Sequence, residues 1–180
     1  LAPLVWPLAA VGREAALHVV YLVSWLAFPL LVGAALSVVL RPRSRVVART
    51  AFRWGLVAGA LLGLTYSANL LRFGMIYSLV AVDLVLLQFL LLERTLRGGR
   101  FAALGLGLAG GLGIYVHATQ QIMGFSFLAV LYAARAISER RVGPWKLLLG
   151  AAVVAVGASL PFWAQFWIHR DFLAAAYLMG

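Results

Sequence analysis

Long apolar runs separated by short polar clusters set the grammar of this chain. A bilayer core of about 30 Å takes roughly 20 apolar residues as a helix. Six stretches qualify or nearly do: Leu17–Leu40, Trp54–Leu70, Gly74–Leu92, Phe101–Ala118, Ile122–Ile137 and Trp145–Ile168. The pattern predicts an all-α polytopic membrane protein with about six transmembrane helices. It reads as one transmembrane helical domain over 1–180, part of a larger membrane module. The fifth run is short, so the fourth and fifth are also readable as one helical hairpin turning at "ATQQ".

The polar clusters alternate. "RPRSRVVARTAFR" carries five Arg, "ERTLRGGR" three, and "RAISERRVGPWK" three Arg and one Lys, twelve basic residues in all. The opposite set of segments holds only Arg13, Arg72 and Arg170. Basic loops stay in the cytoplasm, so the three rich loops are expected there. Both chain ends, "SANLLRF" and "YVHATQQIMG" then face outward, and the expected location is a bacterial inner (plasma) membrane.

Composition agrees. Charged residues make up 11% of the chain, against about 25% in soluble domains. A net charge of +10 raises the question of nucleic acid. The Arg clusters, however, lie between apolar runs rather than on one folded polar face, and no nucleic-acid partner is expected. The chain has no cysteine, which removes disulfides and thiolate metal sites.

Within the runs, Gly107/Gly111 and Gly59/Gly63 form small-xxx-small pairs, which let helix backbones approach closely in lipid. Tight packing is the plain reading, and a substrate passing against the glycines is the alternative. Pro29 and Pro161 are expected to bend or end their helices. The last helix is expected to break at "ASLPFW", with Trp163 and Trp167 at the interface.

Asp83 falls near mid-membrane by count, and an intramembrane acid is a functional candidate by default. The alternative is a protonated carboxyl hydrogen-bonded to a neighbouring helix. His18, His117 and His169 all fall at the outer face. Two of them could ligate haem or a metal if their helices were adjacent, but interfacial histidines satisfied by headgroups or water are commoner. No phosphate loop, Gly-x-Ser-x-Gly elbow or paired-His zinc motif is present. No cofactor or metal site is predicted.

The order of features resembles the membrane module of GT-C type integral-membrane glycosyltransferases, the class of protein mannosyltransferases and lipid A aminoarabinose transferases. The lead-in "VGREAALHVVYLV" is similar, as are a basic loop, two helices joined by the tight outer turn in "YSANLLRFGMIYSLV", and the short basic loop "LLERTLRGGR". The glycine-rich helix ending "GGLGIYVHATQ" and the closing "RRVGPWKLLLGAAVVAVGASLPFWAQF" complete the likeness. The resemblance implies a polyprenyl-phosphate-linked sugar as donor, at an active site on the outer face. It implies substrate-binding roles for Arg72, His117, Gln120, Gln121 and Arg170: Arg pairs with phosphate, and amides bond sugar hydroxyls. A divalent metal is compatible with this chemistry. The family's catalytic acid lies in a first outer loop that this chain does not match. Neither Glu14 nor Asp171 inherits it, so the catalytic residue is unassigned. A non-catalytic membrane subunit or scaffold with a membrane-protein partner is the second reading, and a haem-binding or transport protein the third.

Overall fold

A computed structural model describes residues 12–40, 44–72, 76–139 and 143–170. It is all-helical, with no strand among the described residues. Five helices follow in order: α1 (Arg13–Val39), α2 (Arg45–Arg72), α3 (Ile76–Leu96), α4 (Arg100–Glu139) and α5 (Trp145–Ile168).

Helices α1 to α4 extend past the apolar stretches at one or both ends, while α5 matches its stretch. Most of "RPRSRVVARTAFR", expected to be a loop, is the first turns of α2. Ser44 explains its start: its hydroxyl accepts the Val47 N–H at 3.3 Å, the bond of a helix N-cap. The α3–α4 turn depends on Gly98, whose φ of 90° lies in the left-handed region. The Gly98 and Gly99 N–H groups return to Thr95 and Arg94 carbonyls at 2.8 and 3.1 Å, closing the end of α3 as a left-handed glycine cap does.

One expectation about proline changes. α1 runs through Pro29 and α5 through Pro161 without a break. At Pro161 the expected break at "ASLPFW" is averted by a neighbour. The Phe162 N–H donates to the Tyr115 hydroxyl on α4 at 3.0 Å. A partner for a freed backbone group is what lets a membrane helix tolerate proline.

α4 is two arms, 100–116 and 118–139, meeting at His117, whose φ of −161° and ψ of 91° are extended rather than helical. The arms fold back on each other. A Cβ at Gly113 would meet the Gln121 side chain, and one at Gly110 would meet the Phe125 ring at 2.9 Å. In a straight helix residues 110 and 125 would stand about 22 Å apart. The hairpin at the end of the glycine-rich run is therefore present, turning at His117 itself.

Glycines set how closely the helices approach. On α2, Cβ atoms at Gly55 and Gly59 would lie 2.6 and 2.8 Å from the Cα atoms of Gly33 and Pro29, so α1 and α2 touch backbone to backbone. On α4, Cβ atoms at Gly107 and Gly111 would each lie 2.5 Å from an α5 carbonyl oxygen, of Ala151 and Ala155. Gly107/Gly111 thus seat α5 as a pair, whereas on α2 the backbone seat is Gly55/Gly59, and a Cβ at Gly63 would meet only the Phe28 ring at 3.1 Å. α3 packs against α1 and α4. It buries Ser78, Asp83, Gln88 and Thr95, while large apolar side chains such as Leu22, Leu61, Val130 and Val153 stay exposed. That distribution, apolar outside and polar inside, is the one lipid requires.

Among the described residues, four stretches are long and apolar enough to cross a membrane: Ala15–Val39, Arg45–Thr65, Arg100–Ser138 and Trp145–Ile168. At most 33% of any of their apolar windows is buried, leaving the rest for lipid. This is an integral membrane architecture.

Candidate functional site

The end of the bundle at the α4 hairpin is built by His117. Its ring Nδ1 accepts the Gln120 N–H at 3.5 Å, three residues on, so the imidazole takes the place of an N-cap oxygen for the second arm. His117 and Gln120 are half-buried and Thr119 is exposed. The Gln120 Oε1 is buried without a hydrogen-bond partner, as are Asp83 Oδ1 and Gln88 Oε1 deeper in the bundle, although buried acceptors are nearly always bonded. Beside the hairpin, Tyr115, Phe162, Trp163 and Phe166 form an edge-to-face series with ring centroids 5.4 to 6.0 Å apart. Tyr115 and Phe162 bring α5 to this same end. Just past the end of α5, the Arg170 guanidinium lies over the Trp167 ring, 5.6 Å from its centroid.

Deeper in, α3 carries three polar links to its neighbours. The Ser24 hydroxyl on α1 donates to Asp83 Oδ2. The Gln88 Nε2 donates to the Gln121 Oε1 at 2.7 Å and to the Ala109 carbonyl at 3.2 Å. Gln121 completes the set by donating from Nε2 to the Ala81 carbonyl at 3.1 Å. At the basic end, the Arg135 Nη1 lies 2.6 Å from both Glu93 carboxylate oxygens. These links tie α1, α3 and both arms of α4 through groups whose alternative would be an unsatisfied polar atom away from water.

No family model, curated protein or solved structure matches this chain. Its site is therefore read from its own geometry.

The expected site residues divide. His117 and Gln120 sit together at the hairpin end, and Arg170 lies just past the helix that reaches that end. Gln121 is fully enclosed, and its amide is engaged with Gln88 and Ala81. Asp83 faces α1, bonded to Ser24, as the internal-bond alternative expects. The side chain of Arg72 lies outside the described residues, as does Asp171. Among the described residues no group of three or more His, Asp or Glu side chains gathers in metal-binding proximity; His18 and His169 are exposed.

Sequence reasoning passed over Gln88, Ser24 and the Glu93–Arg135 pair. The signal for Gln88 was legible: an amide inside "VDLVLLQFLLLE" has no water to turn to and must find a partner helix. Ser24 gave none, since a hydroxyl in a helix can bond its own backbone.

Proposed function

We propose that this chain is the membrane portion of a glycosyltransferase that takes its sugar from a polyprenyl-phosphate donor at the hairpin end of the bundle. In this reading the helices cross the membrane six times, the two arms of α4 counting as two crossings. The Arg-rich ends face the cytoplasm and both chain ends face outward, in a bacterial inner membrane. The carrying observation is the pair at the hairpin: a half-buried His117 ring beside a buried Gln120 oxygen that has no partner. A sugar hydroxyl supplies the donor that this oxygen lacks, and His117, Arg72 and Arg170 bring positive charge or N–H groups to the phosphate. Arg pairs with phosphate in two parallel bonds, which fixes the headgroup while the lipid tail lies between helices.

The test is binding of a polyprenyl-phosphate hexose to the purified chain in nanodiscs, compared with His117→Asn and Gln120→Ala. Asn is a good N-cap, so His117→Asn keeps the hairpin and removes the imidazole. Losing a hydrogen bond to a charged group weakens binding by roughly tenfold or more, the result expected for His117→Asn. Unchanged binding in both variants would overturn the reading.

A second reading, a non-catalytic membrane subunit, draws on a different observation. The two acidic side chains described inside the bundle, Asp83 and Glu93, are both engaged internally with Ser24 and Arg135. Neither is presented to a substrate. Stable copurification with a membrane protein, without sugar transfer by the isolated chain, would favour it.

A further inference from the structure

The three Arg-rich segments hold twelve of the chain's fifteen basic residues and two of its five acidic ones, Glu93 and Glu139. Their described parts lie at the end of the bundle away from His117. Glu93 is already taken by Arg135, so this end carries a large excess of positive charge. On α2 part of that excess is ordered. Arg45, Arg49 and Arg53 recur every four residues, which places them within about 80° of one another on one face. All three are exposed, and α2 contains no acidic residue. None of the three is in a salt bridge with a described carboxylate.

Depth selects the partner. The uninterrupted apolar part of α2 begins at Trp54, which puts Arg53 at the edge of the hydrocarbon. With α2 along the membrane normal, Arg49 and Arg45 lie about 6 and 12 Å further out. A headgroup layer is roughly 5–7 Å deep on each side of a bilayer, so the stripe runs from the hydrocarbon edge through that layer to water. In the other direction the same four-residue row continues as Val57 and Leu61, which are 51% and 62% exposed. One face of α2 therefore passes from guanidinium to bare hydrocarbon at Arg53. A cation at that edge needs an anion, and no described side chain supplies one. A nucleic acid or acidic protein in water would reach Arg45 and stop short of Arg53. A phospholipid meets the whole row: its phosphate takes a guanidinium in two parallel bonds, and its acyl chain continues along Val57 and Leu61.

We infer that the Arg45–Arg49–Arg53 stripe of α2 is a binding site for the headgroup phosphate of anionic glycerophospholipids. A zwitterionic headgroup offers the same phosphate but brings its own ammonium, so three unpaired cations favour a lipid with net negative charge. The site stands at the opposite end of the bundle from His117 and does not rest on the sugar-donor reading.

The test uses the purified full chain in micelles of an uncharged detergent, titrated with phosphatidylglycerol or phosphatidylcholine and followed by native mass spectrometry. Phosphatidylglycerol should be retained over phosphatidylcholine. Arg45→Gln/Arg49→Gln/Arg53→Gln should cut that preference by about a hundredfold, at about fivefold for each basic residue near an anionic headgroup. Arg94→Gln/Arg97→Gln/Arg100→Gln removes the same charge from exposed positions around the α3–α4 turn and should leave most of the preference intact. A phosphatidylglycerol with a photoactivatable headgroup should crosslink to 45–54. All six exchanges fall at exposed positions, and an unchanged unfolding midpoint certifies the fold of each variant. Equal retention of the two lipids, equal losses in the two triple variants, or crosslinks spread over the whole basic end would each overturn the inference. So would displacement of the lipid by a short DNA duplex or by millimolar inorganic phosphate, which would assign the stripe to a soluble anion.

Discussion

Gly111 offers a sharp test of how this bundle is held together. A methyl group added there would lie 2.5 Å from the Ala155 carbonyl oxygen and 2.6 Å from the Ala158 Cβ. Neither is the tip of a flexible side chain, so no rotamer change relieves the clash. Restoring ordinary contact at about 3.5–4.0 Å requires α5 to move away by about 1 Å. Overpacking of this kind costs about 1–3 kcal/mol, set against a gain of about 1 kcal/mol from replacing a helical glycine by alanine. Gly111→Ala should therefore lose up to about 2 kcal/mol net. Gly157 supplies the control, because on α5 a Cβ there meets nothing within 4 Å. Gly157→Ala keeps only the propensity gain and should be neutral or stabilised by up to about 1 kcal/mol. Reversible unfolding of the purified chain in mixed micelles with increasing SDS, followed by tryptophan fluorescence, separates the two. Gly107 sits one turn away on the same seat, with a Cβ there 2.5 Å from the Ala151 carbonyl oxygen. The Gly107→Ala/Gly111→Ala double variant should lose less than the sum of the singles, because the first methyl already parts the helices. Equal shifts in Gly111→Ala and Gly157→Ala, or strict additivity in the double, would refute the claim that α4 and α5 touch backbone to backbone.

Two further outcomes follow from the polar links. Gln88→Leu leaves the enclosed Gln121 Oε1 without its donor and should destabilise by about 1–3 kcal/mol. Adding Gln121→Leu should recover part of that loss in the same unfolding assay, since removing both partners is cheaper than orphaning one. Tyr115→Phe removes the acceptor for the Phe162 N–H, a loss of about 1 kcal/mol in a membrane bundle. Faster hydrogen exchange confined to the Phe162 amide and its neighbours would show it, and uniform exchange across α5 would not.

The parts of this fold that were legible in the sequence are those fixed by the medium. Apolar length marks membrane helices, Gly107/Gly111 and Gly59/Gly63 mark close approach, and a polar cluster after a glycine-rich run marks the hairpin. The misreadings have two causes: a partner far along the chain, and a local cap that charge conceals. Pro161 does not break α5 because Tyr115 is there to take the next N–H, and nothing within "ASLPFW" announces that. The "RPRSR" cluster reads as loop by charge, yet Ser44 caps a helix that carries Arg45, Arg49 and Arg53 outward on successive turns.

The same reasoning explains why neighbours in "HATQQ" part company. In a helix, adjacent residues point about 100° apart, so Gln120 and Gln121 cannot both face the same surroundings. Once His117 caps the second arm, the rotation is set: Gln121 turns inward to Gln88 and the Ala81 carbonyl, while Gln120 stays at the half-buried rim with an acceptor to spare. One glutamine thus holds the hairpin to α3, and the other keeps a buried oxygen without a partner. A cluster of polar residues read as one site is, in the folded chain, a cap, an anchor and a buried, unpartnered acceptor. It is on that acceptor, more than on the cluster, that the sugar-binding proposal stands.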